Sequence, residues 1–426
     1  MARQTEINGA SFFGNRTSRL ALAAATTIGL GGCGSAPLDD SVGVSTNALL
    51  GDALPGLTPA QAALFVQSRD VFNEVETIDD GLGPVFNERA CGNCHNVGAA
   101  GGSGVQFEVR AGRSVGGVFD SLTAQGGQLF DLFSVTSRPI SERGSIPGCT
   151  LAANGEPVPG NANVVALRRT TALFGLGLVD ATLDATFVAL AQSQPVSIRG
   201  RAPLVPNLAM GGNTVGKFGW KSQVPTLFQF SGDAYLNEMG ITNPQFPTEQ
   251  APLGNAALVP ACDGHPGEPG LLEDDGEDVD FFTTFMSFLA APPAPDITGQ
   301  AHSGDQTFTN IGCDGCHVRT LVSGPSSVAA LANQTYHPFS DFLVHDMGSL
   351  GDNIPGNGDV GPREMRTAPL WGLHFVDPTN LLHDGRATSV EDAILRHDGQ
   401  ALAARNAFAA LPPGLRKNLL VFLTKL

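Results

Sequence analysis

The sequence predicts a mainly α protein of two like halves, with long loops and few short strands. Two observations carry that prediction. A Cys-x-x-Cys-His pentapeptide occurs twice, at Cys91-Gly92-Asn93-Cys94-His95 and at Cys313-Asp314-Gly315-Cys316-His317. The 53 glycines and 29 prolines among 426 residues keep helices modest and give much of the chain to turns. That length allows two or three domains. The net charge of −17 disfavours nucleic-acid binding and favours a basic partner.

Cys-x-x-Cys-His is the attachment pattern of c-type haem. The two thiols add across the haem vinyl groups, and the adjacent histidine becomes the proximal iron ligand. A redox dithiol or half a zinc site is the bland reading, and the histidine directly after each pair argues against both. Two covalently bound haem c groups are therefore expected, one in each of two cytochrome c-like domains.

The chain opens like an export signal. Arg16 and Arg19 precede the apolar run Leu20 to Leu30, too short to span a bilayer stably. Leu30-Gly31-Gly32-Cys33 is close to a lipoprotein cleavage box, so residues 1–33 are expected to direct a periplasmic location with a lipid anchor at Cys33. Ordinary signal cleavage nearby is the rival reading. Residues 34–58 form a flexible tether. Thr58-Pro59 starts a helix to about Val75, with Leu64, Val71 and Phe72 on its apolar side. Gly304 and Phe308 mark the matching segment before Cys313. Each half closes on an apolar helix, Val279–Leu289 and Arg416–Leu426. The acidic run Glu273 to Asp280 reads as a solvated helix start, and His265 as an exposed loop residue. Residues 59–290 form the first domain, 291–299 a Pro-rich linker and 300–426 the second domain. Outside the haem pairs and Cys33, Cys149 and Cys262 remain; a disulfide suits an oxidising compartment, and two buried free thiols is the alternative.

Several further stretches carry a family resemblance. They are Arg168-Arg169-Thr170-Thr171-Ala172-Leu173-Phe174-Gly175, Phe218-Gly219-Trp220-Lys221, Met239-Gly240-Ile241-Thr242-Asn243-Pro244, His345-Asp346-Met347-Gly348, Arg366-Thr367-Ala368-Pro369-Leu370-Trp371 and Leu382-His383-Asp384-Gly385-Arg386. With the two pentapeptides, residues 59–426 resemble the bacterial di-haem c-type oxidoreductases labelled peroxidase or "thiol oxidoreductase". These are relatives of di-haem cytochrome c peroxidase and of MauG-type maturation enzymes.

The resemblance implies site roles. His95 and His317 are the proximal ligands. In such peroxidases the distal ligand of the electron-transfer haem follows a His-Asp/Ser-Gly segment by fourteen residues, which from His383 reaches His397. His397 would end a short helix opened by Thr388-Ser389-Val390-Glu391 and closed by Asp398-Gly399; His345 and Met347 are the alternatives. A second imidazole lowers a haem potential relative to thioether. His383 and Arg366 read as partners of propionate or backbone. The glycine-rich stretch from Val97 to Gly104 reads as a flexible loop and holds no His or Met, so the first haem is either open or filled by a distant residue. Trp220, Gln229 and Glu238 follow the family's order of bridging and distal residues, with Trp371 the alternative bridge and Glu238 the acid/base. Asn243-Pro244 makes a turn. Relatives hold calcium between the domains, and no residue here is assigned to it.

The function expected is that of a peroxidase-like oxidoreductase. Electrons enter at the second haem, and hydrogen peroxide is reduced, or another substrate oxidised in the MauG manner, at the first. A non-catalytic electron-transfer cytochrome and a haem-based sensor are the competing classes. No third Cys-x-x-Cys supports dithiol chemistry.

Overall fold

Thr58 begins the first helix as its residue type demands. In the computed structural model, which describes residues 49–137, 146, 148–263, 272–376 and 380–426, the Thr58 hydroxyl accepts from the Gln61 amide and Gln61 reciprocates. Pro59 occupies the first helical position, where its missing N–H costs nothing. The helix runs Pro59–Phe72, three residues short of expectation, and buries Phe65, Ser68 and Phe72. Leu64, expected inside, is 39% exposed; the buried stripe lies one residue further on. Phe65 stacks on Phe285 at 5.4 Å, and Phe72 meets Phe285 at 4.5 Å. Their partner is the helix Glu277–Phe288, which starts in acidic residues and buries Val279, Phe282, Phe285 and Met286. Each phenylalanine so buried contributes roughly 1.5–3 kcal/mol.

A third helix, Leu227–Met239, packs on the second. Thr226 caps its start, and Gly240 ends it at φ 75°, a left-handed conformation suited to glycine. Beside it the strand Phe107–Val115 pairs antiparallel with Val118–Asp120, Leu129–Phe130 and Val164–Arg169. The register sets Glu108 opposite Arg168.

Helix Gly299–Asn310 crosses helix Pro413–Leu423 so closely that a Cβ on Gly304 would lie 2.0 Å from the Asn418 carbonyl. Phe308, Phe339, Phe408 and Phe422 fill the core around that crossing. Both closing helices begin slightly before their expected starts. Residues 291–298 run between the halves without helix or strand, yet the main core takes residues from both halves, Phe285 and Phe342 among them. The described residues cluster as one unit. The structure is mainly α with few short strands. No helix among the described residues is long and apolar enough to cross a membrane. Cys149 and Cys262 are joined in a disulfide. The export segment, Cys33, most of the tether and His265 lie outside the described residues.

Candidate functional site

At the second pentapeptide the residues Cys313–Gly315 form a single tight turn after Gly312, which sits at φ 84°. The turn presents His317 to a cavity of about 440 Å³ walled by Ile311, Leu370, Ile394, His397 and Leu419 among others. His397 faces His317 with ring centroids 6.5 Å apart. His317 Nδ1 lies 2.9 Å from the Phe339 carbonyl, and His397 Nδ1 lies 2.8 Å from the Ala393 carbonyl. A carbonyl only accepts, so each Nδ1 carries the proton and each Nε2 keeps a lone pair. Burial pushes the His317 ring down to about 4 and lowers His397 as well, so both stay neutral, the form that binds metal. Two metal–imidazole bonds of about 2 Å, plus roughly 1 Å from nitrogen to ring centre on each side, account for such a separation.

His397 is held by a capped helix that starts one residue later than the Thr388–Glu391 pattern predicts. Ser389 accepts from the Asp392 amide, and the helix spans Val390–Leu395. The histidine follows the capping residue Arg396 rather than sitting in the last turn. His345 and Met347 line the same cavity but do not oppose His317 in this way. His345 is buried with Nε2 3.0 Å from Asp341 and Nδ1 3.7 Å from the Cys316 sulfur, so both its nitrogens are engaged.

Trp220, Arg366 and His383 stand on another wall of this cavity. The Trp220 indole donates to the Arg169 carbonyl at 2.8 Å and meets the His383 ring edge-on at 6.1 Å. Arg366 donates to the Gly219 carbonyl at 2.7 Å and lies over the Phe342 ring. His383 is buried, and its Nε2 has no hydrogen-bond partner among the described residues. An orphaned nitrogen, an arginine and two opposed neutral imidazoles around an apolar cavity are a donor set that fits a haem with its propionates. Trp371 also lines the cavity and packs against Tyr336 at 5.9 Å.

The first pentapeptide forms one helical turn, Cys91–Cys94, with His95 at its end. The loop from Val97 to Gly104, expected to be flexible, folds back as a clasp: the Val97 amide donates to the Ser103 carbonyl at 2.8 Å, and the Gly102 carbonyl lies 3.2 Å from His95 Nδ1. Glycine is required at position 102, where a Cβ would lie 2.0 Å from the Val97 carbonyl. Arg169 secures the clasp through the Gly104 carbonyl at 2.9 Å. Ser103, Thr170 and Thr171 join this region to the large cavity, and the Thr171 carbonyl also reaches the His95 ring. Phe72 packs on His95 at 6.2 Å.

Glu238, in the last turn of helix Leu227–Met239, accepts from the Asn87 amide at 2.9 Å. Burial, and then the Glu108 charge, push its carboxyl up to about 8, against the pull of Arg110. The Glu238 backbone carbonyl accepts from the Asn87 and Glu88 amides at 2.8 Å and 3.3 Å, and the Glu88 carboxylate accepts from Asn93 of the first pentapeptide at 3.1 Å, which brings the acid near that pentapeptide. Gln229 is elsewhere. Nine residues earlier on the helix, it points to the opposite side, about 13 Å away along the axis. Its amide is occupied by the Leu208 N–H at 2.9 Å and the Pro206 carbonyl at 3.2 Å. The structure does not bring Gln229 and Glu238 together. Glu108, Arg110 and Asn87 surround Glu238 without having been singled out in the sequence. Alternation along the Phe107–Val115 strand was the signal that could have found the first two.

The family model described as "Di-haem oxidoreductase, putative peroxidase" matches residues 160–426, more than half of the chain. The chain belongs to the di-haem oxidoreductases. The match takes in Trp220, Glu238, His317 and His397 and begins after the first pentapeptide. A di-haem oxidoreductase implies haem cofactors, in keeping with the donor set around the large cavity. Hydrazine synthase from Kuenenia stuttgartiensis, in a structure pressurised with 20 bar xenon, is similar to this di-haem oxidoreductase over 95% of this chain and 100% of that one. The identity is 12% and the TM-score 0.39, a likeness too weak to carry an argument. No curated protein matches.

Proposed function

We propose that this di-haem oxidoreductase works as a peroxidase-like enzyme in which electrons enter at the second centre and hydrogen peroxide is reduced at the first. The observation that carries the reading is an asymmetry. His317 faces a second imidazole 6.5 Å away, whereas beside the first pentapeptide stands a carboxyl raised to about 8. A centre closed by two stiffly held imidazoles suits electron transfer. A centre with an acid/base beside it suits chemistry.

In this reading Cys91, Cys94, Cys313 and Cys316 hold two haem c groups by thioether bonds, with His95 and His317 as proximal ligands. Two cytochrome c-like domains, 59–290 and 300–426, carry one each. Bound haem supplies one-electron redox chemistry and, at an open face, activation of peroxide. His397 closes the second centre. Arg366 and His383 would hold propionate oxygens, each through an N–H. Trp220, its indole fixed on the Arg169 carbonyl, couples the centres. Glu238 takes the proton from one peroxide oxygen and hands it to the departing one, and Asn87 keeps its Oε2 oriented. The export signal and Cys33 would place the protein in the periplasm on a lipid anchor, where a small basic electron donor meets its acidic surface. Calcium remains an expectation of the resemblance alone.

The test is stopped-flow spectroscopy of the fully ferric and half-reduced protein mixed with hydrogen peroxide, after counting covalent haems. A fast spectral change, slowed at least tenfold in Glu238→Gln, is expected. No reaction in either redox state would overturn the reading and leave an electron carrier.

A further inference from the structure

The chain has two tyrosines, and their hydroxyls are set in different chemistry. Tyr336 pairs with the Thr182 hydroxyl at 2.7 Å, a group that takes no proton at neutral pH. Tyr235 is 3% exposed, and its phenol donates to Glu76 Oε1 at 3.0 Å and lies 3.3 Å from Asp278 Oδ2. Glu76 is itself 6% exposed. A structural hydrogen bond there needs only an amide or carbonyl as acceptor. Burying a carboxylate instead costs free energy, and it places a proton acceptor on a phenol deep in the protein.

Aromatic rings run from that phenol to the first centre. Tyr235 meets Phe282 edge-on at 5.0 Å, Phe282 meets Phe72 at 6.4 Å, and Phe72 lies 6.2 Å from the His95 ring. Phe72, Phe282 and Tyr235 are all buried. Glu76 also lies near enough to Cys91 for its charge to act on that thiol.

We propose that Tyr235 is a redox-active side chain, giving an electron to the first centre once peroxide has oxidised it while its phenol proton passes to Glu76. The inference rests on the peroxidase-like reading above. Hydrogen peroxide needs two electrons and two protons to leave as two waters. The first centre gives up both electrons, and the two protons come from solvent. Tyr235 returns one electron to that centre along the packed rings, which remain unoxidised, and the donor returns the other through the second centre. The Tyr235 O–H bond breaks, the proton bonds to Glu76 Oε1, and the products are a neutral tyrosyl radical and a carboxylic acid. A further electron from the donor, arriving through the second centre, and the same proton returning from Glu76 restore the phenol. The charged and titratable groups facing this pair are Asp278 and Asp274 at the phenol, and Asp278, Asp80 and Glu74 at Glu76. The device holds an oxidising equivalent on a buried residue until the donor arrives.

The experiment is freeze-quench electron paramagnetic resonance of the fully ferric holoprotein mixed with hydrogen peroxide, made with ordinary and with ring-deuterated tyrosine. A radical signal that narrows on deuteration is expected, kept in Tyr336→Phe and reduced at least tenfold in Tyr235→Phe. Glu76→Gln, which keeps a hydrogen-bond acceptor but removes the base, is expected to lower the radical yield at least fivefold. A signal that does not narrow, or one that survives Tyr235→Phe, overturns the proposal. Should Tyr235→Phe fail to fold, loss of the deuterium-sensitive signal in Tyr336→Phe would overturn it equally. A haem spectral change with no tyrosyl radical removes the inference and leaves the peroxidase-like reading standing. No spectral change with peroxide removes both.

Discussion

His317 and His397 show how a backbone carbonyl decides what an imidazole can do. Each ring gives its Nδ1 proton to a carbonyl within 3 Å, so Nε2 is left as a lone-pair donor and the ring cannot turn away. Replacing His397 by methionine keeps a ligand of similar reach but a weaker donor to ferric iron. The midpoint potential of the second centre is therefore expected to rise in His397→Met, with the low-spin spectrum retained. A potentiometric titration in which the substitution leaves both potentials unchanged would show that His397 is not a ligand. Glu238 illustrates the same control by surroundings. Burial and Glu108 raise its carboxyl while Asn87 and Arg110 lower it, and the balance leaves it able to carry a proton in either direction.

At the scale of elements, close approach of backbones matters more than helix propensity. Gly304 lies inside the helix Gly299–Asn310, where alanine would ordinarily help. Here a Cβ would meet the Asn418 carbonyl at 2.0 Å, and the two helices must separate to admit it. Gly304→Ala is expected to lower stability by about 1–3 kcal/mol through overpacking. Gly414, in the opposite helix, has nothing within 4 Å of its Cβ position, so Gly414→Ala is expected to raise stability by up to about 1 kcal/mol. Urea unfolding of the two variants checks the contrast, and equal effects would sink the steric explanation.

Across the whole molecule, one buried ion group ties the halves. Arg168, on the strand Val164–Arg169, lies 2.7 Å from Asp352, and Lys221 reaches the other carboxylate oxygen at 3.0 Å. The three side chains are at most 4% exposed. Asp352→Asn removes the nearest anion from two buried cations, leaving Arg168 only the more distant Glu108 at 3.9 Å, an expected loss of about 3–5 kcal/mol in equilibrium unfolding. The fold also has a pH signature. Burial is the first cause that raises Glu76 to about 7, Glu238 to about 8 and Glu249 to about 9. Burial pulls His345 down, but the hydrogen bonds and charges of Asp341 and Cys316 together outweigh it and hold the ring up at about 10. All four bind protons more tightly folded than unfolded, so from about pH 6.5 to 9 the unfolded chain sheds its protons first and stability falls. The melting temperature is expected to be lower at pH 9 than at pH 6.5. A flat profile would mean that these groups ionise alike in both states.

The sequence by itself determined the local features. The pentapeptides, the Thr58-Pro59 start, the Ser389 cap and the Gly240 stop depend on residues a few positions apart, and their stereochemistry acts before the chain has packed. The fourteen-residue step from His383 to His397 was legible through family likeness, because a capped helix keeps its spacing. Tertiary structure alone decided the rest. Gln229 and Glu238 share a helix, yet its rotation sends them to opposite sides. The Val97–Gly104 stretch reads as a loose loop, yet it closes on His95 through a carbonyl contact that glycine permits. Tyr235 and Glu76 are 159 residues apart, as Arg168 and Asp352 are 184. Such pairings depend on which buried surfaces meet, and no local pattern encodes that.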